Sequence, residues 1–133
     1  MIPYLLNHEV TLDQQNELGV TNLLPMPPDM AVAWQNIPAG SEWLEVTVFW
    51  LKNSVLTWLL VHSEEGGLVW VQGEPGATFY LANQLYLQNR IPIYATTERF
   101  CQEFSTDNGI KTTRLFKHCG FRTYFREASH AQC

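Results

Sequence analysis

A chain of 133 residues with 46% hydrophobic and 13% aromatic side chains is long enough for one packed core and too short for two comfortable domains, so a single domain is expected over residues 1–133. A core of that size needs neither a metal nor a disulfide to complete it, and an odd set of three cysteines, Cys101, Cys119 and Cys133, suits a reducing compartment. No apolar run approaches the roughly 20 residues of a membrane span, and the N-terminus carries no basic leader, which together predict a cytoplasmic protein.

The formal charge of −5 argues against a nucleic-acid wrapper, but it hides a division along the chain. Residues 1–89 hold nine acids against one base, Lys52, a balance of −8. Residues 90–133 hold seven bases against four acids, a balance of +3. That suffices to hold a small anion and not to coat a duplex, whose binding rests on many phosphate contacts.

In chain order, Ile2 to Leu6 predicts a buried strand stopped by Asn7 and His8. Thr11 and Gln14 match a capping box, opening a helix that ends near Gly19. Val20 to Leu24 predicts a second strand, and Asp29 to Asn36 a short helix before the Pro38-Ala39-Gly40 turn. Ser41, with Glu42 and Glu45 behind it, starts the longest helical signal. Leu44, Val48, Leu51, Val55 and Leu59 form its seam, and Trp43, Trp50 and Trp58 an adjoining stripe. A helix apolar round more than half its circumference implies burial on two sides, against the core and a sheet or in a dimer interface.

Leu68 to Val71 is an unbroken apolar run suited to a central parallel strand. Gln72 to Thr78 reads as the loop after it, Phe79 to Asn89 as a helix, and Ile91 to Ala95 as a strand ended by Thr96 and Thr97. From Arg99 the pattern becomes a hairpin turning at Asp107-Asn108-Gly109, with arms 99–104 and 111–118. Residues 121–125 predict one more strand, and 128–133 a loose tail. The alternation predicts an α/β fold, Rossmann-like, with a mostly parallel sheet flanked by helices and a C-terminal β-hairpin. Its parts are a core (1–97), a basic extension (98–127) and the tail.

In such sheets ligands bind beyond the carboxyl ends of the strands. Three polar clusters are expected there: Asn7 with His8, the loop 72–78, and Thr96, Thr97 and Arg99. Gly73 and Gly76, between a strand and a helix, would let backbone N–H groups approach a phosphate. The spacing is neither a Walker loop nor the dinucleotide fingerprint. His8 carries an imidazole, a group that can move protons to and from a ribose hydroxyl or leaving oxygen; His118 is a weaker candidate of the same kind, and His62 suits a helix C-terminus. A zinc reading from Cys119, His130 and Cys133 puts two ligands on the tail, so no metal and no cofactor is expected.

Four segments, LLNHEVTLDQQ, VWVQGEPGATFYLANQL, IPIYATTER and RLFKHCGFRTY, together resemble a family of small CRISPR-associated proteins. The family accompanies type III systems, belongs to the Csx group, and is similar to a stand-alone CARF-type domain acting as a ring nuclease. Where the family shows Ser-His, Gly-Asp-x-Gly-Ala-Thr and Thr-Thr-Lys-Arg, this chain has Asn7-His8, Gly73-Glu74-Pro75-Gly76-Ala77-Thr78 and Thr96-Thr97-Glu98-Arg99. Asn7 keeps a hydrogen-bond donor without a nucleophile, Glu74 keeps the charge, and Glu98 replaces a cation.

The resemblance implies a cyclic oligoadenylate ligand, chiefly the four-membered ring, and its metal-independent linearisation by attack of the 2'-hydroxyl on the adjacent phosphate. It also implies a homodimer around the ring. Within that reading Asn7, Gln72, Gly73, Glu74, Gly76, Ala77, Thr78 and Thr96 hold the ligand. Thr97 orients its backbone, Arg99 stabilises developing charge, and His8 is the acid or base. The alternative is a sponge or sensor that binds the ring without cutting it.

Overall fold

Thr11 behaves as its spacing predicts: its hydroxyl accepts from the Gln14 N–H at 3.3 Å, and the Gln14 side chain accepts from the Thr11 N–H at 2.9 Å. Two donors that a helix start would leave bare are thereby satisfied. The helix that follows, α1 (Leu12–Leu18), stops at Gly19, whose φ of 84° suits a residue without a side chain. The computed structural model describes residues 1–40 and 43–126. Ser41 and Glu42, and the tail with His130 and Cys133, lie outside the described residues.

Around α1 the chain runs β1 (Ile2–Leu5), β2 (Leu23–Pro25), α2 (Pro28–Gln35), α3 (Trp43–Trp50), α4 (Leu56–Val61), β3 (Leu68–Val71), α5 (Pro75–Leu87), β4 (Ile91–Thr106) and β5 (Gly109–Thr123). The sheet order is β2-β1-β3-β4-β5; the first four strands are parallel and β5 is antiparallel to β4. This is the predicted architecture, a mostly parallel sheet with a C-terminal hairpin. After β1 the chain moves to one side of the sheet and after β3 to the other, so the strand order reverses between these two neighbours.

Helices cover both faces. On one, Leu5, Val69 and Val71 pack with Trp34, Leu51, Val55, Leu59, Leu81 and Leu85. On the other, Leu6, Trp70 and Ile93 pack with Val10, Leu18 and Phe121. The last three residues of β3, Val69, Trp70 and Val71, are fully buried, as an unbroken apolar run predicts. Each such side chain contributes about 1.5–3 kcal/mol through burial.

Four expectations are corrected. Of Val20 to Leu24 only Leu23 and Leu24 join β2; Val20–Asn22 form a 3-10 turn, held by the Asn22 N–H on the Gly19 carbonyl at 2.9 Å. Helix α5 begins at Pro75 rather than Phe79, because Pro75 needs no N–H partner in the first turn and Glu74 caps it. Residues 76–78 therefore belong to the helix and not to a loop.

β4 does not end at Thr96 and Thr97 but continues to Thr106, and residues 121–123 are the end of β5 rather than a separate strand. What the two threonines mark is a bulge: Thr96 pairs with Gly120 and Thr97 with His118, leaving Cys119 as the extra residue. The Thr96 hydroxyl donates to the Gly120 carbonyl at 3.1 Å across it.

The long helical segment runs unbroken from Trp43 to Val61, as its seam predicts, but it is not uniform. A π-turn, Leu51–Val55, separates α3 from α4. The predicted seam holds on its far side, with Leu51, Val55 and Leu59 fully buried, while Val46 and Phe49 stand about 70% exposed. No helix among the described residues is long and apolar enough to cross a membrane.

Candidate functional site

Gln72 follows β3 at the reversal of strand order and ties three strands together. Its N–H donates to the Leu5 carbonyl of β1 at 2.9 Å. Its side-chain oxygen accepts from the Trp70 indole and from the Ala95 N–H of β4, both at 2.7 Å, and its carbonyl accepts from the Trp34 indole at 3.0 Å. With Oε1 doubly engaged, the amide NH2 is what remains for another partner.

Beside Gln72 opens a cleft of about 390 Å³, lined by Gly73, Pro75 and Thr78, by Phe79, Asn83 and Tyr86 of α5, and by Tyr94, Tyr124 and Phe125. Its walls hold one another in place. Tyr86 donates its hydroxyl proton to the Tyr124 carbonyl, and the Tyr124 hydroxyl donates to the Val71 carbonyl. The rings of Tyr94 and Tyr124 lie 4.8 Å apart. The Arg126 guanidinium sits 4.5 Å above the Tyr86 ring, placing a cation at the rim. Burial, and then the neighbouring Tyr94, push the Tyr124 phenol up to about 12, so it stays a neutral donor. Phe79 and Phe125 at the mouth are 72% and 91% exposed.

Two features bear on what the cleft holds. The Thr78 side chain lines it, and the Thr78 hydroxyl is buried with no hydrogen-bond partner among the described residues; a buried polar group left unpaired costs about 1–3 kcal/mol. The N–H groups of Gly76 and Ala77, by contrast, are already taken by the Glu74 carboxylate, at 3.0 and 2.8 Å. The glycine loop thus supplies its own anion at the helix N-terminus.

The other predicted residues lie apart from this cleft. His8 is exposed and lines a second cleft, also of about 390 Å³, with Tyr4, Glu9, Gln15 and Gln35 on the far side of the β1–β3 junction. Its Nδ1 donates to the Glu9 carbonyl at 2.8 Å. Asn7 is exposed beside it. Thr96, Thr97 and Arg99 belong to the base of the β4–β5 hairpin, where Thr97 and Arg99 are exposed, and neither cleft is lined by them.

His118 is held from α1: its Nε2 is 3.2 Å from Glu17 Oε1, its ring lies 5.2 Å from that of Phe121, and its Nδ1 is buried without a partner among the described residues. His62 ends α4 and packs on Trp58. Among the described residues no three His, Cys, Asp or Glu side chains converge as a metal site would require.

Asn83, Tyr86, Tyr94, Tyr124, Phe125 and Arg126 were not anticipated. Phe79, Asn83 and Tyr86 would have stood out on one face of a helix started at Pro75, since positions i, i+4 and i+7 align.

Residues 2–122 match the model of a family described as "Uncharacterized protein MJ1673 family". A protein of that description, "Uncharacterized protein MJ1673" from Methanocaldococcus jannaschii, is 34% identical over 124 residues, covering 90% of this chain and 93% of the relative. No solved structure matches the chain.

Proposed function

The chain belongs to the MJ1673 family, and we propose that it binds a cyclic oligoadenylate in the cleft beside Gln72 and linearises it. The observation that carries the reading is the aromatic wall of that cleft, formed by Phe79, Tyr86, Tyr94, Tyr124 and Phe125 beside the Gln72 amide. Adenine has a π-face that stacks on such rings for about 1–3 kcal/mol per base, and ribose or base edges supply partners for Asn83 and the Gln72 amide. Arg126 at the rim offers a cation to phosphate. The resemblance of Asn7-His8, the 73–78 segment and Thr96-Thr97-Glu98-Arg99 to a ring-nuclease family points to the same ligand.

In the proposed reaction the 2'-hydroxyl attacks the adjacent phosphorus, forming the P–O2' bond and breaking P–O5'. A base takes the 2' proton, an acid protonates O5', and the product ends in a 2',3'-cyclic phosphate with a free 5'-hydroxyl. His8 is proposed as the acid or base, Arg99 as the charge stabiliser and Thr97 as an orienting group; none of the three lines the cleft beside Gln72, so the ring would have to extend beyond that cleft to meet them. A homodimer would set two clefts about one ring of matching symmetry.

A second reading, capture without cleavage, is favoured by one observation: among the described residues, those lining the cleft include no His, Asp, Glu, Lys or Arg. Incubation with cyclic tetra-adenylate in slight excess, with and without EDTA, followed by chromatography, separates the readings. Linear products bearing a 2',3'-cyclic phosphate, formed in both conditions, support the nuclease. Intact ring retained by the protein supports capture, and intact ring left free overturns the assignment of the ligand.

A further inference from the structure

The cleft that holds His8 is built from different chemistry than the one beside Gln72. It opens beyond the carboxyl ends of β1 and β2, where Tyr4 pairs with Pro25. Its apolar lining comes from Leu6, Val10, Met26 and Ala31. Leu6 and Met26 are buried residues of the two core clusters, so this lining is fixed by the packing beneath it. A volume of about 390 Å³ suits a small molecule.

The polar side chains around that lining have spent donors and kept acceptors. His8 donates from Nδ1 to the Glu9 carbonyl at 2.8 Å, and an imidazole that donates from Nδ1 keeps the lone pair of Nε2 for another partner. Gln15 donates from its amide to the Val10 carbonyl at 3.4 Å, which leaves its Oε1 as an acceptor. The Glu9 carboxylate has no hydrogen bond or ion pair among the described residues. None of the described residues that line the cleft is a Lys or an Arg. An anion placed here meets the Glu9 charge with no cation to offset it, whereas a cation meets a carboxylate and two neutral acceptors.

We propose that this cleft is a separate binding site for a small organic cation, an alkylamine or alkylguanidine, whose methylene stem lies on the apolar lining while its charged head bonds Glu9 and His8 Nε2. The site does not rest on the nuclease reading. The two meet at one atom, because the Nε2 that receives the cation is the one an acid or base would use, so a bound cation withholds His8 from cleavage.

The test is calorimetric titration of the full chain with agmatine, a guanidinium and an ammonium joined by a butane stem, in the absence of nucleotide. Pentanol and inorganic phosphate serve as the neutral and anionic probes. Agmatine should bind saturably, one per chain, and move the ring resonances of His8 in NMR spectra, and neither other probe should do so. Glu9→Gln should weaken agmatine about tenfold, the loss of one charge-assisted hydrogen bond. Glu64→Gln removes a charge that is likewise exposed, from the turn before β3, and should leave the affinity unchanged; thermal melts establish that both variants are folded. Absence of saturable binding, equal weakening in the two variants, or preference for phosphate overturns the proposal. A chain that binds agmatine in this way and leaves cyclic tetra-adenylate both intact and unbound keeps this site and loses the nuclease reading.

Discussion

Trp34 lies directly on Gly73: a Cβ at that glycine would stand 2.6 Å from the indole Nε1, which donates to the carbonyl of the preceding residue, Gln72. Trp34 is only 1% exposed and has nowhere to retreat. Gly73→Ala is therefore expected to cost about 1–3 kcal/mol through overpacking, with the loss of the Trp34 hydrogen bond on top. Urea unfolding checks it, and a midpoint unchanged from the parent would show that the indole can move.

Tyr124 couples the cleft to alkaline stability. Its pKa rises from 10.0 to about 12, chiefly through burial and secondarily through Tyr94. A folded-state pKa above the unfolded one means stability that is complete below pH 10 and is lost as the pH climbs from there towards about 12. Tyr124→Phe should flatten that decline, leaving the smaller share from Tyr4, whose phenol is also raised by burial. At neutral pH it should cost about 1–2 kcal/mol, because the buried Val71 carbonyl loses its donor. Melting temperatures from pH 7 to 12 give both numbers.

Glu74→Ala has opposite effects on folding and on anion affinity. Removing the cap on Gly76 and Ala77 should cost about 1 kcal/mol of stability. It also frees two N–H groups at a helix start and removes a negative charge, so affinity for a phosphate-bearing ligand should rise severalfold. Calorimetric titration with cyclic tetra-adenylate that shows weaker binding would mean that Glu74 itself touches the ligand.

The aromatic wall and the proposed chemical groups separate in kinetics. Tyr86→Ala or Phe125→Ala should weaken binding about tenfold or more, in line with the loss of one stacked base. His8→Ala and Arg99→Ala should slow single-turnover cleavage at saturating protein. If His8→Ala leaves that rate unchanged, the acid–base assignment is wrong; if Arg99→Ala alters neither binding nor rate, its electrostatic assignment is wrong.

The order of helices and strands was legible because its signals are local: the Thr11–Gln14 box, the apolar run through Trp70 and the Asn108-Gly109 turn each act over a few residues. The length of β4 was not, because two adjacent threonines mimic a strand end and only pairing with Gly120 and His118 shows them to be a bulge. The cleft was half legible. Gln72, Gly73 and Thr78 were marked by their place after β3, but Tyr94, Tyr124 and Arg126 join them only through the antiparallel return of β5, a contact between segments about 30 residues apart that no local pattern encodes. Glu74 was visible as a loop acid and not as the cap that occupies the loop's own N–H groups.

The π-turn at Leu51–Val55 works as a phase shifter. One additional residue in a helical turn rotates everything beyond it by about 100° relative to an unbroken helix. This separates the outward setting of Val46 and Phe49 from the inward setting of Leu56 and Leu59. Removing one residue there would join the two halves into a straight rod and swing the second half round its axis. A single-residue gap at this point would alter which side of the helix meets the sheet far more than it would alter the helix's length.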